Sequence, residues 1–150
     1  MNEANTRMLM LDFPRLYRDA ADDESRMSRR FTCGDGWFNL IYELSAAIEA
    51  EARKIGLNPM SDDWPRAVQI KEKLGTLRFY IRTSSVPGEF QGVGQENRVS
   101  MRPVARIDAI RSLVEEAEET SANICENCGQ AGVLREAGGA RVTCDHCESI

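Results

Sequence analysis

Four cysteines stand in two identically spaced pairs near the C-terminal end of this chain of 150 residues. Cys125 and Cys128 form the first pair, and Cys144 and Cys147 form the second. Four thiolates with this spacing can meet at one point if each pair lies on a tight turn and the residues between the pairs form a hairpin. The pattern therefore predicts that the four cysteines bind one metal ion.

The residues between the pairs carry the turn and strand signals that this arrangement needs. Gly129 allows a left-handed backbone after the first pair, residues 133–135 and 141–143 are predicted as short strands, and Gly138 and Gly139 as the turn between them. Residues 124–150 are too few to bury a core of their own. Metal must then supply their folding free energy, on the order of 10 kcal/mol for structural zinc, so this zinc ribbon should be disordered without metal.

Zinc held by all four cysteines is the favoured interpretation of these pairs. Disulfides need an oxidising compartment, whereas residues 1–11 are too polar for a signal peptide, so a cytoplasmic protein is predicted. A redox site needs one such pair at the start of a helix, not two. Iron stays an alternative because spacing does not distinguish it from zinc. His146 is an alternative ligand but is predicted to be solvated.

Composition limits what the rest of the chain can be. With 42% hydrophobic residues, the chain can build one modest core beside the ribbon, and no apolar run is long enough to cross a membrane. The formal net charge of -5 argues against bulk attraction to nucleic acid, so nucleic-acid binding would need a local basic patch.

Three helices are predicted in the N-terminal part, residues 1–123. The first spans residues 5–17 and is interrupted near Pro14. The second, 36–56, follows a turn in which Asp35 can cap it, and Gly56 ends it. The third spans residues 100–121 after a flexible loop at 84–97. The second helix has one apolar stripe, made of Trp37, Ile41, Leu44, Ile48, Ala52 and Ile55.

Residues 67–82 alternate with period two and predict an antiparallel hairpin that turns at Leu74 and Gly75. One face is expected to pack on the core through Val68, Ile70, Leu77, Phe79 and Ile81. The predicted fold class is therefore α+β, with helices packed on a small antiparallel hairpin sheet and a C-terminal zinc ribbon at 124–150. The fifth cysteine, Cys33, is expected to be a small buried side chain, with a reactive thiol or an extra ligand as alternatives.

The opposite face of the hairpin is the main candidate binding surface. It carries Lys71, Lys73, Arg78, Tyr80 and Arg82, and three more cations, Arg98, Arg102 and Arg106, stand near the start of the third helix. Four glutamates crowd the end of that helix, at positions 115, 116, 118 and 119. Because these acids oppose the helix dipole, they are expected to serve another purpose. The alternative to a binding role is that the basic face is solvated or paired with this acidic cluster.

Three separated motifs of the chain resemble small uncharacterised proteins of bacteriophages and prophages. The motifs are Cys33-Gly34-Asp35-Gly36-Trp37, then a hairpin over residues 68–80, then Ile124-Cys125-Glu126-Asn127-Cys128-Gly129. They follow the order CGDGW, a VKEKFGTLRFY-like hairpin and an ICE-x-CG zinc knuckle, and they cover residues 31–147. Leu74 stands where an aromatic residue is expected. The resemblance implies a bacterial or phage-infected cytoplasm and carries no catalytic residue.

The sequence favours a non-enzymatic zinc-binding protein that interacts with other proteins. It has no HExxH metalloprotease motif, no P-loop and no dinucleotide-binding glycine pattern. The preferred hypothesis is a phage or prophage protein that binds and modulates, as an inhibitor would, a host complex of the defence or transcription machinery. The alternative is a zinc-ribbon protein that binds nucleic acid through the basic hairpin face.

Overall fold

The structure, a computed structural model, describes residues 1–20, 30–82, 104–136 and 139–149, without the side chains of residues 20 and 104–107. The predicted α+β class is confirmed. The predicted loop at 84–97 and the residues Arg98 and Arg102 lie outside the described residues. The elements are α1 (Glu3–Asp12), β1 (Phe31–Thr32), α2 (Phe38–Lys54), β2 (Arg66–Lys73), β3 (Thr76–Arg82), α3 (Val104–Ser121), β4 (Val133–Arg135), β5 (Arg141–Thr143) and α4 (Asp145–Glu148).

Helix α2 lies at the centre of the hydrophobic core. A single turn of 3-10 helix, Asp35–Trp37, leads into it, so the helical segment begins where the sequence predicts. Its apolar stripe is buried as expected, with Trp37, Ile41 and Ile48 fully inaccessible to solvent. The helix ends at Gly56, whose φ of 79° lies in the left-handed region that glycine adopts without steric cost.

Asp35 does not cap α2, and that prediction is wrong. Its carboxylate instead accepts hydrogen bonds from the backbone N–H of Asn2, at 2.7 Å, and from the side-chain amide of Asn5, at 3.1 Å. These bonds lower the pKa of Asp35 although its partial burial acts in the opposite direction. Asp35 therefore fastens the start of α1 to the turn that precedes α2.

The main sheet has three strands in the order β1-β2-β3. Strands β2 and β3 form the predicted antiparallel hairpin, with Ile70 opposite Phe79. The two residues of β1 pair with β2 in parallel, which places Phe31 opposite Ile70. This third strand was not predicted, because a pair of residues is too short to show an alternating pattern.

A bulge in β2 changes which residue faces the core. Ala67 pairs with Ile81 and Gln69 pairs with Tyr80, which leaves Val68 as the extra residue between them. Ala67 is buried, whereas Val68 is only half-buried, so the prediction that Val68 faces the core is wrong. One inserted residue reverses the side-chain alternation on that part of the strand.

The hairpin turns at Leu74 and Gly75, as predicted. Their φ angles are 55° and 79°, so both central residues of the turn are left-handed, as a type I′ turn requires. Leu74 pays a steric cost for this backbone conformation, and its side chain is 71% exposed. The turn places an aliphatic residue at the tip of the hairpin.

The outer edge of β3 is covered by side chains from the last turns of α3. The backbone N–H of Leu77 donates to Ser121 Oγ at 2.8 Å, and the N–H of Phe79 donates to Glu118 Oε1 at 2.9 Å. Glu118 also pairs with Arg78 at 3.5 Å. Glu118, one of the acids that oppose the helix dipole, therefore accepts a hydrogen bond from the edge of β3. Without this cover, the edge would be open to pairing with another strand.

The core is one cluster made by α1, α2, the hairpin and α3. Leu9, Leu16 and Trp64 are fully buried in it, together with Ile110 of α3. No helix in the described ranges is long and apolar enough to cross a membrane.

Replacing Glu118 by alanine should lower the free energy of unfolding by about 1–2 kcal/mol, because the Phe79 N–H loses its acceptor. Urea unfolding of the metal-loaded protein measures this effect. Glu116→Ala is the matched control, since Glu116 is exposed on the same helix and its loss should change stability by about 0.5 kcal/mol or less. Equal effects of the two substitutions would show that the strand edge does not depend on Glu118.

Candidate metal centre

Each cysteine pair lies on a turn whose hydrogen bonds fix its shape. In the first turn, the Cys125 N–H donates to the Gln130 carbonyl at 2.7 Å, and the Gly129 N–H donates to the Cys125 carbonyl at 2.9 Å. Gly129 has the left-handed conformation that was predicted, with φ of 78°. The second pair begins at the N-cap of α4, a four-residue helix that was not predicted. The strands β4 and β5 pair as an antiparallel hairpin between the two turns.

The four predicted ligands come together at one point. The sulfur atoms of Cys125, Cys128, Cys144 and Cys147 all lie within 4.8 Å of one another, and those of Cys128 and Cys144 are 3.6 Å apart. Sulfur atoms at about 2.3 Å from a tetrahedral metal ion are separated by about 3.8 Å. The described residues thus bring together a tetra-cysteine group that can hold a metal ion.

Backbone amides prepare the buried ligand for ionisation. Burial by itself raises the pKa of the Cys125 thiol, but hydrogen bonds from the backbone of Cys144, Cys128 and Asn127 lower it, and the result is a pKa of about 6. Contacts with the Cys128 and Cys144 sulfurs raise the pKa of Cys147 to about 12. Four thiolates at this distance repel one another, so all four ionise together only when a cation lies among them.

The first cysteine turn is packed against the turn that precedes α2. The Gly36 N–H donates to the backbone carbonyl of Glu126 at 2.7 Å, and the Gly34 N–H donates to the Glu126 carboxylate at 2.8 Å. The indole N–H of Trp37 donates to the Ile124 carbonyl at 2.9 Å. We call this contact between residues 34–37 and 124–126 the knuckle interface. It explains why Cys125 is fully buried although the other three ligands are half-buried or exposed.

Two glycines are required at the knuckle interface because the backbones approach so closely. A Cβ atom at Gly36 would lie 2.1 Å from the Cys125 carbonyl oxygen, and one at Gly34 would lie 2.2 Å from the Glu126 carbonyl oxygen. Both distances are far below van der Waals contact. Any side chain at these positions would therefore separate the metal centre from α2.

The ribbon also contacts the tip of the β2-β3 hairpin. Val142 is buried there, and its Cγ2 atom would lie 3.6 Å from a Cβ at Gly75. The Leu134 Cδ1 methyl lies against Gly75, where a Cβ would be 2.4 Å away from it. The metal centre is thus held from two sides, by the turn before α2 and by the hairpin tip.

The remaining cysteine and the histidine lie outside the tetra-cysteine group. His146 is exposed, as expected, and the group that the described residues form does not include it. Cys33 is 6% exposed, and burial raises the pKa of its thiol to about 12. It therefore stays protonated at neutral pH, which supports the expectation of a small buried side chain and not a reactive thiol.

The basic hairpin face is partly neutralised. Arg78 pairs with Glu118 at 3.5 Å, and Arg82 pairs with Asp19 at 3.1 Å. The Lys71 ammonium lies over the ring of Tyr80, 5.2 Å from its centroid. Lys73 is exposed at the end of β2. Arg106 lies in α3, and its side chain is not among those that the structure describes.

Sequence reasoning missed the part that Glu126 and the two glycines play at this centre. By their position in the sequence, Gly34 and Gly36 belong to the turn before α2, and Glu126 stands between two ligands. The order of the three motifs contained the signal, since the CGDGW turn contacts the first cysteine pair and the hairpin tip contacts the strands of the same ribbon. A single sequence does not show that distant motifs meet.

No protein family, curated protein or solved structure matches this chain. The residues that converge at the metal centre therefore carry the functional interpretation.

The substitution Gly36→Ala should destabilise the protein by about 2–4 kcal/mol, because the added methyl group collides with the Cys125 carbonyl. Part of this loss should appear as an apparent metal affinity that is about tenfold weaker or more, since metal binding and the knuckle interface form together. Chelator competition and thermal unfolding measure the two effects. Asn127→Ala, at an exposed position of the same turn, should change neither, and an unchanged metal affinity in Gly36→Ala would contradict the coupling.

Proposed function

We propose that the four cysteines bind one zinc ion in a closed, structural site. Four sulfur ligands complete a tetrahedral shell and leave no position for water or substrate. Backbone N–H groups directed at the Cys125 sulfur favour a thiolate, which is the form that binds zinc. The role of the ion is then to hold residues 124–126 against residues 34–37, so that the ribbon and the core form one unit.

The chain is proposed to act without catalysis. A catalytic zinc site needs an open coordination position and a nearby acid or base. Of the acids beside the centre, Glu126 is buried and accepts the Gly34 N–H, whereas Asp145 and Glu148 are paired with Arg135. His146 is exposed and lies outside the tetra-cysteine group. These positions favour a structural ion over an active site.

Metal analysis of the purified protein should find one zinc per chain, and Cys144→Ser should lose it together with the order of residues 124–149. Inductively coupled plasma mass spectrometry and amide hydrogen exchange measure the two quantities. Cys33→Ala is the matched control: it should keep the zinc even if it is somewhat less stable. Iron in place of zinc, or zinc retained by Cys144→Ser, would contradict the proposal.

The function that the structure supports best is that of an interaction protein, carried by the surfaces that the metal centre fixes. The observation behind this proposal is the knuckle interface, where the turn before α2 packs directly on the turn that carries Cys125 of the tetra-cysteine group. The resemblance of the same motifs to phage and prophage proteins suggests the setting, which is the cytoplasm of a bacterial cell. We propose a host protein complex of the defence or transcription machinery as the partner.

Crosslinking followed by affinity capture in the native bacterial host should return one protein complex in stoichiometric amount. Loss of the ribbon in Cys144→Ser should abolish this capture, because the partner surface depends on the metal centre. A charge-neutral surface change such as Asn127→Ala is the control. Recovery of nucleic acid without protein would contradict the proposed function.

A nucleic-acid-binding module is the second candidate, favoured by one observation. Tyr80 is 43% exposed beside Lys71, and a base could stack on its free face. The ion pairs of Arg78 and Arg82 weaken this candidate because they reduce the charge that the face offers to phosphates. If the candidate is correct, binding of single-stranded RNA or DNA should weaken as salt rises, and Arg78→Glu combined with Arg82→Glu should abolish it.

A further inference from the structure

Exposed aliphatic side chains gather where the hairpin tip meets the ribbon. Of the large hydrophobic residues that are exposed in the described parts of the chain, Leu74 is 71% exposed, Val133 is 56% exposed and Leu134 is 52% exposed. Leu74 adjoins Gly75, against which the Leu134 side chain lies. Leu74 and Leu134 thus adjoin the same glycine, and Val133 adds an exposed aliphatic side chain on the opposite face of β4.

The strand β4 has a free backbone edge at this junction. Its residue Leu134 lies opposite Val142 of β5, and the Val142 carbonyl accepts the Glu126 N–H on the far side of β5. Leu134 and Val142 therefore form a non-hydrogen-bonded pair of the antiparallel ladder. In such a pair, the backbone N–H and C=O groups of both residues point away from the other strand. The N–H and carbonyl of Leu134 therefore point outward, and nothing in the described ranges bonds them.

The two faces of β4 are both suited to an added strand. Leu134 lies on the face toward the hairpin tip, against Gly75, the neighbour of Leu74, whereas Val133 lines an open groove of about 400 Å³ on the other face, together with Thr143 and His146. Side chains of an extended segment alternate between two faces. A strand that pairs with β4 would thus place successive side chains beside Leu134 and then over the groove, which a helix could not do.

The charges around the cluster indicate the chemistry of the occupant. Lys73 beside the hairpin tip and Arg141 on β5 are exposed, and neither forms an ion pair within 4 Å of any described residue, although Arg141 interacts electrostatically with the buried Glu126 carboxylate. Arg135, in contrast, is already paired with Asp145 and with Glu148, the latter at 2.7 Å. A second copy of this chain would bring its own Lys73 and Arg141 to the same edge, so like charges disfavour self-pairing.

We propose that β4 binds an extended segment of a partner protein as an added strand, and that this segment alternates aliphatic with acidic residues. The inference rests on the proposed function as an interaction protein and specifies the surface that carries it. Main-chain hydrogen bonds to Leu134 would supply affinity, and the contacts of alternate side chains with Leu74, Val133 and the exposed cations Lys73 and Arg141 would supply specificity. The three-residue length of β4 limits the paired segment to a short one.

The test uses the zinc-loaded full-length chain and random peptides displayed on phage. Selected peptides should be enriched in alternating aliphatic and acidic residues, and synthetic copies should slow hydrogen exchange at the Leu134 amide. Leu134→Asp and Leu74→Asp should each weaken their binding about tenfold or more. Aspartate tolerates a positive φ, so Leu74→Asp keeps the turn. The matched control is Leu11→Asp, at an aliphatic residue that is 78% exposed on α1.

Each contrary outcome is informative. An absence of selected peptides, enrichment in basic peptides, or binding that survives both aspartate substitutions would overturn the strand-addition surface. Concentration-dependent dimerisation that Leu134→Asp abolishes would overturn it in favour of a second copy. Capture of a stoichiometric host complex by both wild type and Leu74→Asp would support the proposed function but contradict the proposal that β4 is the binding surface. Failure of the wild type to capture any protein complex would instead contradict the proposed function itself.

Discussion

The knuckle interface is the contact on which the rest of the structure depends. Two backbone segments, from opposite ends of the chain, approach so closely that Gly34 and Gly36 leave no room for a Cβ between them. One of these segments carries Cys125 of the tetra-cysteine group that can hold a metal ion, and the indole of Trp37 fixes the other in the core. The free energy of metal binding at this group would therefore stabilise the packing on the core helix as well as the ribbon itself.

This arrangement differs from a metal ribbon attached at the end of a helix. The buried ligand Cys125 belongs to the packed interior, whereas Cys128 faces solvent. The hairpin tip meets the ribbon on another side, so the metal centre joins three elements that are far apart in sequence. A small core of this kind gains from such a junction because it buries too little apolar surface to hold every loop in place by packing alone.

Patterns within short segments of the sequence were sufficient to predict helix α2, the hairpin turn and the two cysteine turns. The stripe from Trp37 to Ile55, the turn at Leu74 and Gly75, and the two cysteine turns each follow from the periodicity or the backbone preference of a few neighbouring residues. The bulge at Val68 was not predictable because the period-two pattern contains no signal for an extra residue, and the parallel strand at Phe31 was not predictable because it is short and pairs with a distant segment. For the same reason the four ligands were evident from spacing, but the role of Glu126 between them was not.

The span of the knuckle interface has a consequence for the order in which the chain folds. The bond from Gly34 to Glu126 closes a loop of 92 residues, and that from Trp37 to Ile124 closes one of 87. Contacts at such separation form late, since their closure entropy is recovered only after the intervening chain has collapsed. During synthesis, the turn before α2 must leave the ribosome long before the segment that covers it exists. Until then, the backbone of Gly34 and Gly36 and one edge of the Trp37 indole stay uncovered. The nascent protein is therefore cleaved by proteases and bound by chaperones more readily than the folded protein.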